Sequence, residues 1–484
     1  VEAHGITLVE RFDSSLHVPK SFVAPHFEKR KTMKMNTAVK RPIPTPKFTH
    51  EGAVAYNTTA EQNLRRSVMA CLLWEDTFYE SGEAIATRIS NLVKQVAPEK
   101  VAQIAIEART LMKLRHVPLL LVTEMAKLRS HRSLVAPTTE AVIQRADELA
   151  EVLSIYARGR AGNKKLNKLS KQLQKGIAQA FTKFDEYSLA KYNQDNEIKL
   201  RDVLFLTHPK PIGGKRGAQA KLWKRLVDGK LATPDTWEVG ISAAKGNAEA
   251  TKAEWTRLLR EEKLGALALL RNLRNLTQAR VDEKLIREAI LNMKTERVLP
   301  FRFIAAAKYA PQFEPEIEQA MFKALEGVEK LPGKTAIVVD NSGSMYGTKV
   351  STKSELDRIE AAAALAILVR EVCEQAIVIG FGSDAKMIPA RRGFALRDAI
   401  KAGPGGGTNT QIALNLAAAS GYDRIIVITD EQSHQSISAP KTDKAYFINV
   451  ATYKNGIGYG PWTHIDGWSE AVLQYIVAAE EAKY

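Results

Sequence analysis

"TAIVVDNSGSM", from Thr335 to Met345, decides how the last third of this 484-residue chain is read. Its apolar run is continuous instead of alternating, which fits a strand buried on both faces. It stops in one carboxylate and two hydroxyls at alternate positions, Asp340, Ser342 and Ser344, with Gly343 between the serines. Downstream, "SELDRIEAAAALAILVREVC" (354–373) predicts a long amphipathic helix and "AIVIGFG" (376–382) a second buried strand. "NTQIALNLAAAS" (409–420), "RIIVITD" (424–430), "AYFINVA" (445–451) and "SEAVLQYIVAAEEA" (469–482) continue as helix, strand, strand, helix. The alternation predicts a doubly wound α/β domain over 331–484, with a largely parallel sheet.

Ligands of such sheets sit at the carboxyl ends of the strands. Three segments end there: "VVDNSGS", "GPGGGTNT" with Thr408 after three glycines, and "VITDEQ" with Asp430. Asp340, Ser342, Ser344, Thr408 and Asp430 offer only oxygen, which suits Mg²⁺ best, with Mn²⁺ or Ca²⁺ as alternatives, and disfavours zinc. Taken alone, "DNSGSM" also reads as a helix cap. "GPGGGTNT" lacks the lysine of a phosphate loop. No nucleophile with an activating histidine is evident, since His434 falls in the polar, turn-like "EQSHQS", and metal-assisted hydrolysis usually takes more carboxylate or histidine ligands. A catalytic role is therefore not expected. The five positions resemble the metal-ion-dependent adhesion site of von Willebrand factor A domains, D-x-S-x-S followed by a threonine and an aspartate on separate loops. That resemblance implies a recognition domain whose metal is completed by a carboxylate from a protein ligand.

Upstream the period changes. "EQNLRRSVMACLLWEDTF" (61–78), "GEAIATRISNLVKQV" (82–96), "EKVAQIAIEARTLMKL" (99–114), "VPLLLVTEMAKL" (117–128) and "TEAVIQRADELAEVLSIYA" (139–157) space apolar residues three and four apart. Breaks at Ser81-Gly82, Ala97-Pro98 and Ala136-Pro137 separate them. The pattern predicts an α-solenoid of helix pairs over 51–330, with no repeat of fixed residue identity. Residues 1–50 read as a basic N-terminal arm or leader, with "KRKTMKMNTAVKRPIPTPKF" (29–48) its flexible part. Cys71 and Cys373 sit in apolar contexts far apart, which suits free thiols in a reducing compartment; cytoplasm is expected. Nothing approaches a membrane-spanning run.

The charge is one-sided. Residues 331–484 carry 15 Lys and Arg against 16 Asp and Glu, so the chain's net +16 lies entirely on residues 1–330, at +17. Such an excess reads directly as a site for a polyanion, nucleic acid above all, and charge alone fits a merely soluble basic surface about equally. The loop "LTHPKPIGGKRGAQAK" (206–221) combines His208, Lys210, Lys215 and Arg216 with freedom at Gly213 and Gly214. "RNLRN" (271–275) sets Arg271 and Arg274 three apart beside asparagines, and "GNKKLNKLSKQLQK" (162–175) carries five lysines and no acid. Each of these also reads as an ordinary solvated face, and Phe184 and Tyr192 at helical spacing as core.

Five blocks resemble the TROVE module of the Ro autoantigen family of RNA-binding proteins: "KLRHVPLLLVTEMAK" (113–127), "KFDEYSLAKYNQ" (183–194), "KLRDVLFLTHPKP" (199–211), "GALALLRNLRNL" (265–276) and "LPFRFIAAAKY" (299–309). The module order, helices before a von Willebrand A-like domain, agrees. The resemblance, to a bacterial-type member, implies HEAT-like helical repeats closed into a ring. It implies small Y RNAs on the basic outer face, and single-stranded 3′ ends of misfolded or structured RNAs in the central hole. It further implies an RNA chaperone or quality-control scaffold acting with an exoribonuclease in ribosomal RNA maturation or decay and in stress survival. Lys191, Tyr192, Arg201 and His208 match the segments tied to RNA contact. Where family members carry a further cation past that lysine, Asp195 and Glu197 stand here, with Lys210, Lys215 and Arg216 nearby to compensate. The alternative is a metal-dependent protein-recognition scaffold whose basic half is incidental.

Overall fold

Apolar residues spaced three and four apart give each helix one buried stripe, and stacking the stripes builds two rows. The computed structural model describes residues 47–484 apart from 50–51, 56–57, 70–80, 159–168, 194, 296–297, 299, 327–328, 350–356, 452, 454, 468–471, 473–475, 477–479 and 481–484. The arm up to residue 46, Cys71, most of the lysine run 162–175 and much of 469–482 lie outside the described residues; Lys47 and Phe48, assigned to the arm, form a short strand.

β1 (Lys47–Phe48) pairs antiparallel with β2 (Val54–Ala55). The first helical block comprises α1 (Ala60–Met69), α2 (Gly82–Val93), α3 (Pro98–Thr110), α4 (His116–Met125), α5 (Arg132–Val142), α6 (Ala146–Arg158), α7 (Lys171–Phe181), α8 (Glu186–Tyr192), α9 (Leu200–Thr207) and α10 (Ala218–Val227). α1, α3, α5, α7 and α9 stack in one row, and α2, α4, α6 and α8 in the other. Their shared core runs from Leu64 to Leu226. Ser81 starts α2 by accepting the Ala84 N–H at 3.2 Å, and Pro98 opens α3, where a missing N–H costs nothing.

Two boundaries differ from the sequence reading. Pro137 is the sixth residue of α5, past the first turn, so it forfeits its i to i−4 bond, yet the helix continues through it, packed against α3 and α7. The stretch 139–157, expected as one helix, breaks at 143–145, where Glu148 Oε2 accepts the N–H groups of Gln144 at 2.8 Å and Arg145 at 3.0 Å.

The second block comprises α11 (Trp237–Ala243), α12 (Ala248–Arg260), α13 (Ala266–Gln278), α14 (Glu283–Asn292), α15 (Pro300–Tyr309) and α16 (Glu314–Lys323). Its core begins at Trp255 and continues without a break into the α/β unit. There, β3 (Leu331–Asp340), α17 (Arg358–Glu371), β4 (Cys373–Phe381), β5 (Ala385–Ile388), α18 (Gly393–Lys401), α19 (Thr410–Ser420), β6 (Arg424–Thr429), β7 (Ala445–Asn449) and β8 (Thr463–Asp466) follow. The sheet order is β5-β4-β3-β6-β7-β8, parallel except at the β5 edge.

Alternate residues of β3 feed opposite faces. Ile337 and Val339 join the core shared with the helical block, while Ala336 and Val338 pack with Ala413 and Ala417 of α19. α17 is not amphipathic as expected. Arg358 through Val369 are all buried, because the helix is covered by the sheet on one side and by α15 and α18 on others. Cys373 is a buried free thiol.

The first helix of the array also reaches the α/β unit, packing against β8. Arg66 of α1, fully buried, pairs with Glu431 Oε2 at 2.9 Å and donates to the carbonyls of Tyr453 and Asn455. Glu431 is bonded in turn by His464, whose other ring nitrogen lies 3.4 Å from Asp466. Thr49 Oγ1 donates to the Ser433 carbonyl at 2.9 Å, so the segment 431–433 is clasped from the N-terminal side.

Candidate metal centre and nucleic-acid interface

β3 leads to β4 on one side and β6 to β7 on the other, so the chain reverses direction across the sheet between β3 and β6. The carboxyl ends of those two strands form the crevice, and Asp340 and Asp430 stand at them. Asp340 Oδ1 accepts the Ser342 N–H at 2.8 Å and its Oδ2 accepts the Thr429 hydroxyl at 2.5 Å. Ser344 donates to Asp430 Oδ2 at 2.7 Å, and the two serine hydroxyls lie 3.1 Å apart. Thr408 is buried, with its N–H 3.0 Å from His434 Nδ1. Gly406, at φ 96°, turns its carbonyl to the Gly343 N–H at 2.8 Å and so ties the threonine's loop to the serine loop.

Both aspartates are fully buried, and burial together with the Asp430 charge pushes the Asp340 carboxyl up to about 7. The nearby cation is Arg358, 3.9 Å from Asp430 Oδ2. Two desolvated carboxylates beside three hydroxyl-bearing residues fit a hard divalent cation, which would relieve their repulsion. Among the described residues no group of three or more His, Cys, Asp and Glu is placed to hold a metal, so a cation held here would depend on the hydroxyls.

The basic candidates fall into three places. Lys191 and Tyr192 end α8, and Arg271 projects from α13; all three line one cavity of about 1000 Å³ between the two helical blocks. Arg201, His208, Lys210, Lys215 and Arg216 lie exposed on α9 and the loop after it. His208 takes the left-handed conformation (φ 48°) as the helix cap, its N–H bonded to the Leu204 carbonyl at 3.0 Å, which leaves the imidazole to solvent. Arg274 lies 5.8 Å from the ring of half-exposed Tyr309. Phe184 is core, whereas Tyr192 is only half-buried, under the Arg145 guanidinium at 4.6 Å. Asp195, the acidic departure, is taken up by Lys199, which also holds its carboxyl below the usual range.

Sequence reasoning missed Arg145 and Trp237, which line the same cavity. Trp237 sits alone in "TPDTWEV", with no spacing signal, and is placed by stacking on the buried Trp255 at 5.8 Å.

The TROVE domain model matches residues 49–228 and 221–323. The chain belongs to the TROVE domain family. No curated protein matches it. The crystal structure of the Ro (RSR) protein of Deinococcus radiodurans is similar to this TROVE protein in fold, with a TM-score of 0.57 and 17% identity, covering 87% of this chain and 99% of that one. The match spans both the helical blocks and the α/β unit of this TROVE protein. Among its described residues no helix is long and apolar enough to cross a membrane.

Proposed function

We propose that this protein is a non-catalytic RNA chaperone or quality-control scaffold of the cytoplasm. Its helical array holds structured or misfolded RNAs that carry single-stranded 3′ ends, and small Y RNAs on the same basic half. The observation that carries the reading is the meeting of Lys191, Tyr192 and Arg271, up to 80 positions apart, at one cavity in a TROVE protein whose +17 lies on the same two thirds of the chain. The exposed group from Arg201 to Arg216 provides phosphate contacts beside it.

The α/β unit, 331–484, acts in this reading as a von Willebrand A-type domain. It would close the helical array into a ring, a reading supported by the packing of α1 on β8 and of α15 on α17. Asp340, Ser342, Ser344, Thr408 and Asp430 would hold Mg²⁺, with Mn²⁺ or Ca²⁺ as substitutes. The ion supplies a Lewis-acid contact for a carboxylate of a protein ligand; an exoribonuclease is the partner class this scaffold would serve.

Filter binding of a stem-loop RNA with and without a single-stranded 3′ tail tests the reading. Binding should favour the tailed RNA and weaken steeply with salt. Binding that ignores salt, or none, overturns it and leaves the protein-recognition scaffold.

A further inference from the structure

The two helical blocks have separate cores, one ending at Leu226 and the other starting at Trp255, and a cleft opens where they meet. Clefts between packed bodies are where small ligand groups lodge. Its walls come from four elements: Arg145 ahead of α6, Lys191 and Tyr192 of α8, Trp237 of α11, and Arg271 and Asn275 of α13. Glu238 is the one acid among the lining residues, against three cations.

Two flat surfaces in this cleft are anchored on one side. Trp237 stacks on Trp255, which is 2% exposed, with ring planes 20° apart. The Arg145 guanidinium lies over the Tyr192 ring at 4.6 Å and is held by Asp147 at 3.0 Å. Both Trp237 and Arg145 line the cleft, so a further planar group entering it would meet them. Asn275, which lines the cleft, is steadied by its Nδ2 donating to Asn272 Oδ1 at 2.8 Å, and its carboxamide also carries an oxygen that can accept. Lys191 and Arg271 supply cations at the rim. Flat anchored surfaces, a carboxamide and cations match a nucleobase with its phosphates. An aromatic peptide side chain that filled the stack would leave the cations unused, and a duplex does not expose a base face.

We propose that this cleft is a pocket for one unstacked nucleotide of single-stranded RNA, its base continuing the Trp237 or Arg145 stack and meeting Asn275, its phosphates on Lys191 and Arg271. The proposal rests on the RNA-binding reading above and deepens it: the pocket reads the unpaired state of the RNA, while the exposed cations of α9 and its loop hold phosphates of any strand. The base is selected as a planar group, so sequence preference is weak.

The test uses the full chain and three probes: a stem-loop RNA with a ten-nucleotide 3′ tail, the same stem-loop blunt, and the tailed RNA with abasic sites throughout its tail. Trp237→Ala and, separately, Asn275→Ala, on an exposed position, are compared with the native chain. The expected result is about tenfold weaker binding of the tailed RNA by Trp237→Ala, the size of one lost base stack. Asn275→Ala should lose several-fold, binding of the blunt RNA should be unchanged in both, and the abasic tail should bind the native chain as weakly as the tailed RNA binds Trp237→Ala. Native-like binding of the tailed RNA by both variants, or equal loss on tailed and blunt RNA, overturns the pocket. If the native chain binds neither RNA, the RNA reading itself fails; if it prefers the tail and the variants do too, only the pocket fails.

Discussion

Two buried acids set different demands on their surroundings. Asp340 has its carboxyl raised to about 7 by burial and by Asp430, so without a cation part of the site is held at a cost. A bound Mg²⁺ would stabilise the folded state by about 2.7 kcal/mol at a hundredfold excess over its Kd. Thermal denaturation with and without Mg²⁺ should therefore give a rise of several degrees in the native chain and none in Asp340→Ala; an equal rise in both would move the metal elsewhere. Glu431, one residue past Asp430, is equally buried, but Arg66 and His464 outweigh that burial and hold its carboxyl at about 2. Burial alone would lower the His464 imidazolium, yet Asp466 and Glu431 outweigh it and raise its pKa to about 9, from an ordinary 6.5. A raised folded-state pKa gives stability that is complete below about 6.5 and is lost as pH climbs through 9, about 3 kcal/mol in all. Melting curves from pH 6 to 10 should fall across that window in the native chain and lose this component in His464→Gln. A native profile flat across the window contradicts the assignment.

At the scale of elements, the Arg66 contacts join α1 to the α/β unit across 365 positions. Removing one partner of a buried ion pair leaves the other charge stranded and costs about 3–5 kcal/mol. Arg66→Ala should lower the melting temperature accordingly and make the seam between α1 and β8 exchange amide protons faster than the core of α17. Unchanged exchange there would mean that the seam is held by other contacts. Sequence alone conveys β3 well: "TAIVVD" is apolar on both faces, and both faces are covered. It conveys α17 poorly, because "AAAALA" has no polar stripe to reveal that the helix is enclosed by the sheet, α15 and α18. Pro137 misleads for a different reason: propensity marks a proline as a break, whereas the packing of α5 on α3 and α7 carries the helix through it. The meeting of Asp340, Ser342, Ser344 and Asp430 is readable from their order and spacing along the chain. The cleft is half readable: Lys191, Tyr192 and Arg271 carry charge or aromaticity in suggestive blocks, whereas Arg145 and Trp237 gain their meaning only from contacts between helices distant in sequence.

For the whole molecule, the division of charge matters more than any single contact. In the proposed reading the +17 on residues 1–330 would give affinity without sequence preference, and the balanced α/β unit packs against both the first helix of the array and its later helices. Changing Lys191, Arg201 and His208 together to alanine removes two cations and one aromatic ring from the cleft rim and the exposed group. It should weaken RNA binding by about tenfold or more and flatten its salt dependence by about 0.7 per lost phosphate contact. Unmoved affinity would place the RNA surface elsewhere on the array. The most direct measurement of the central claim is the affinity of the intact protein for one stem-loop RNA with and without a single-stranded 3′ tail, titrated at two salt concentrations. Tighter binding of the tailed RNA, weakening steeply as salt rises, is the expected result; equal binding of both RNAs, indifferent to salt, would contradict it.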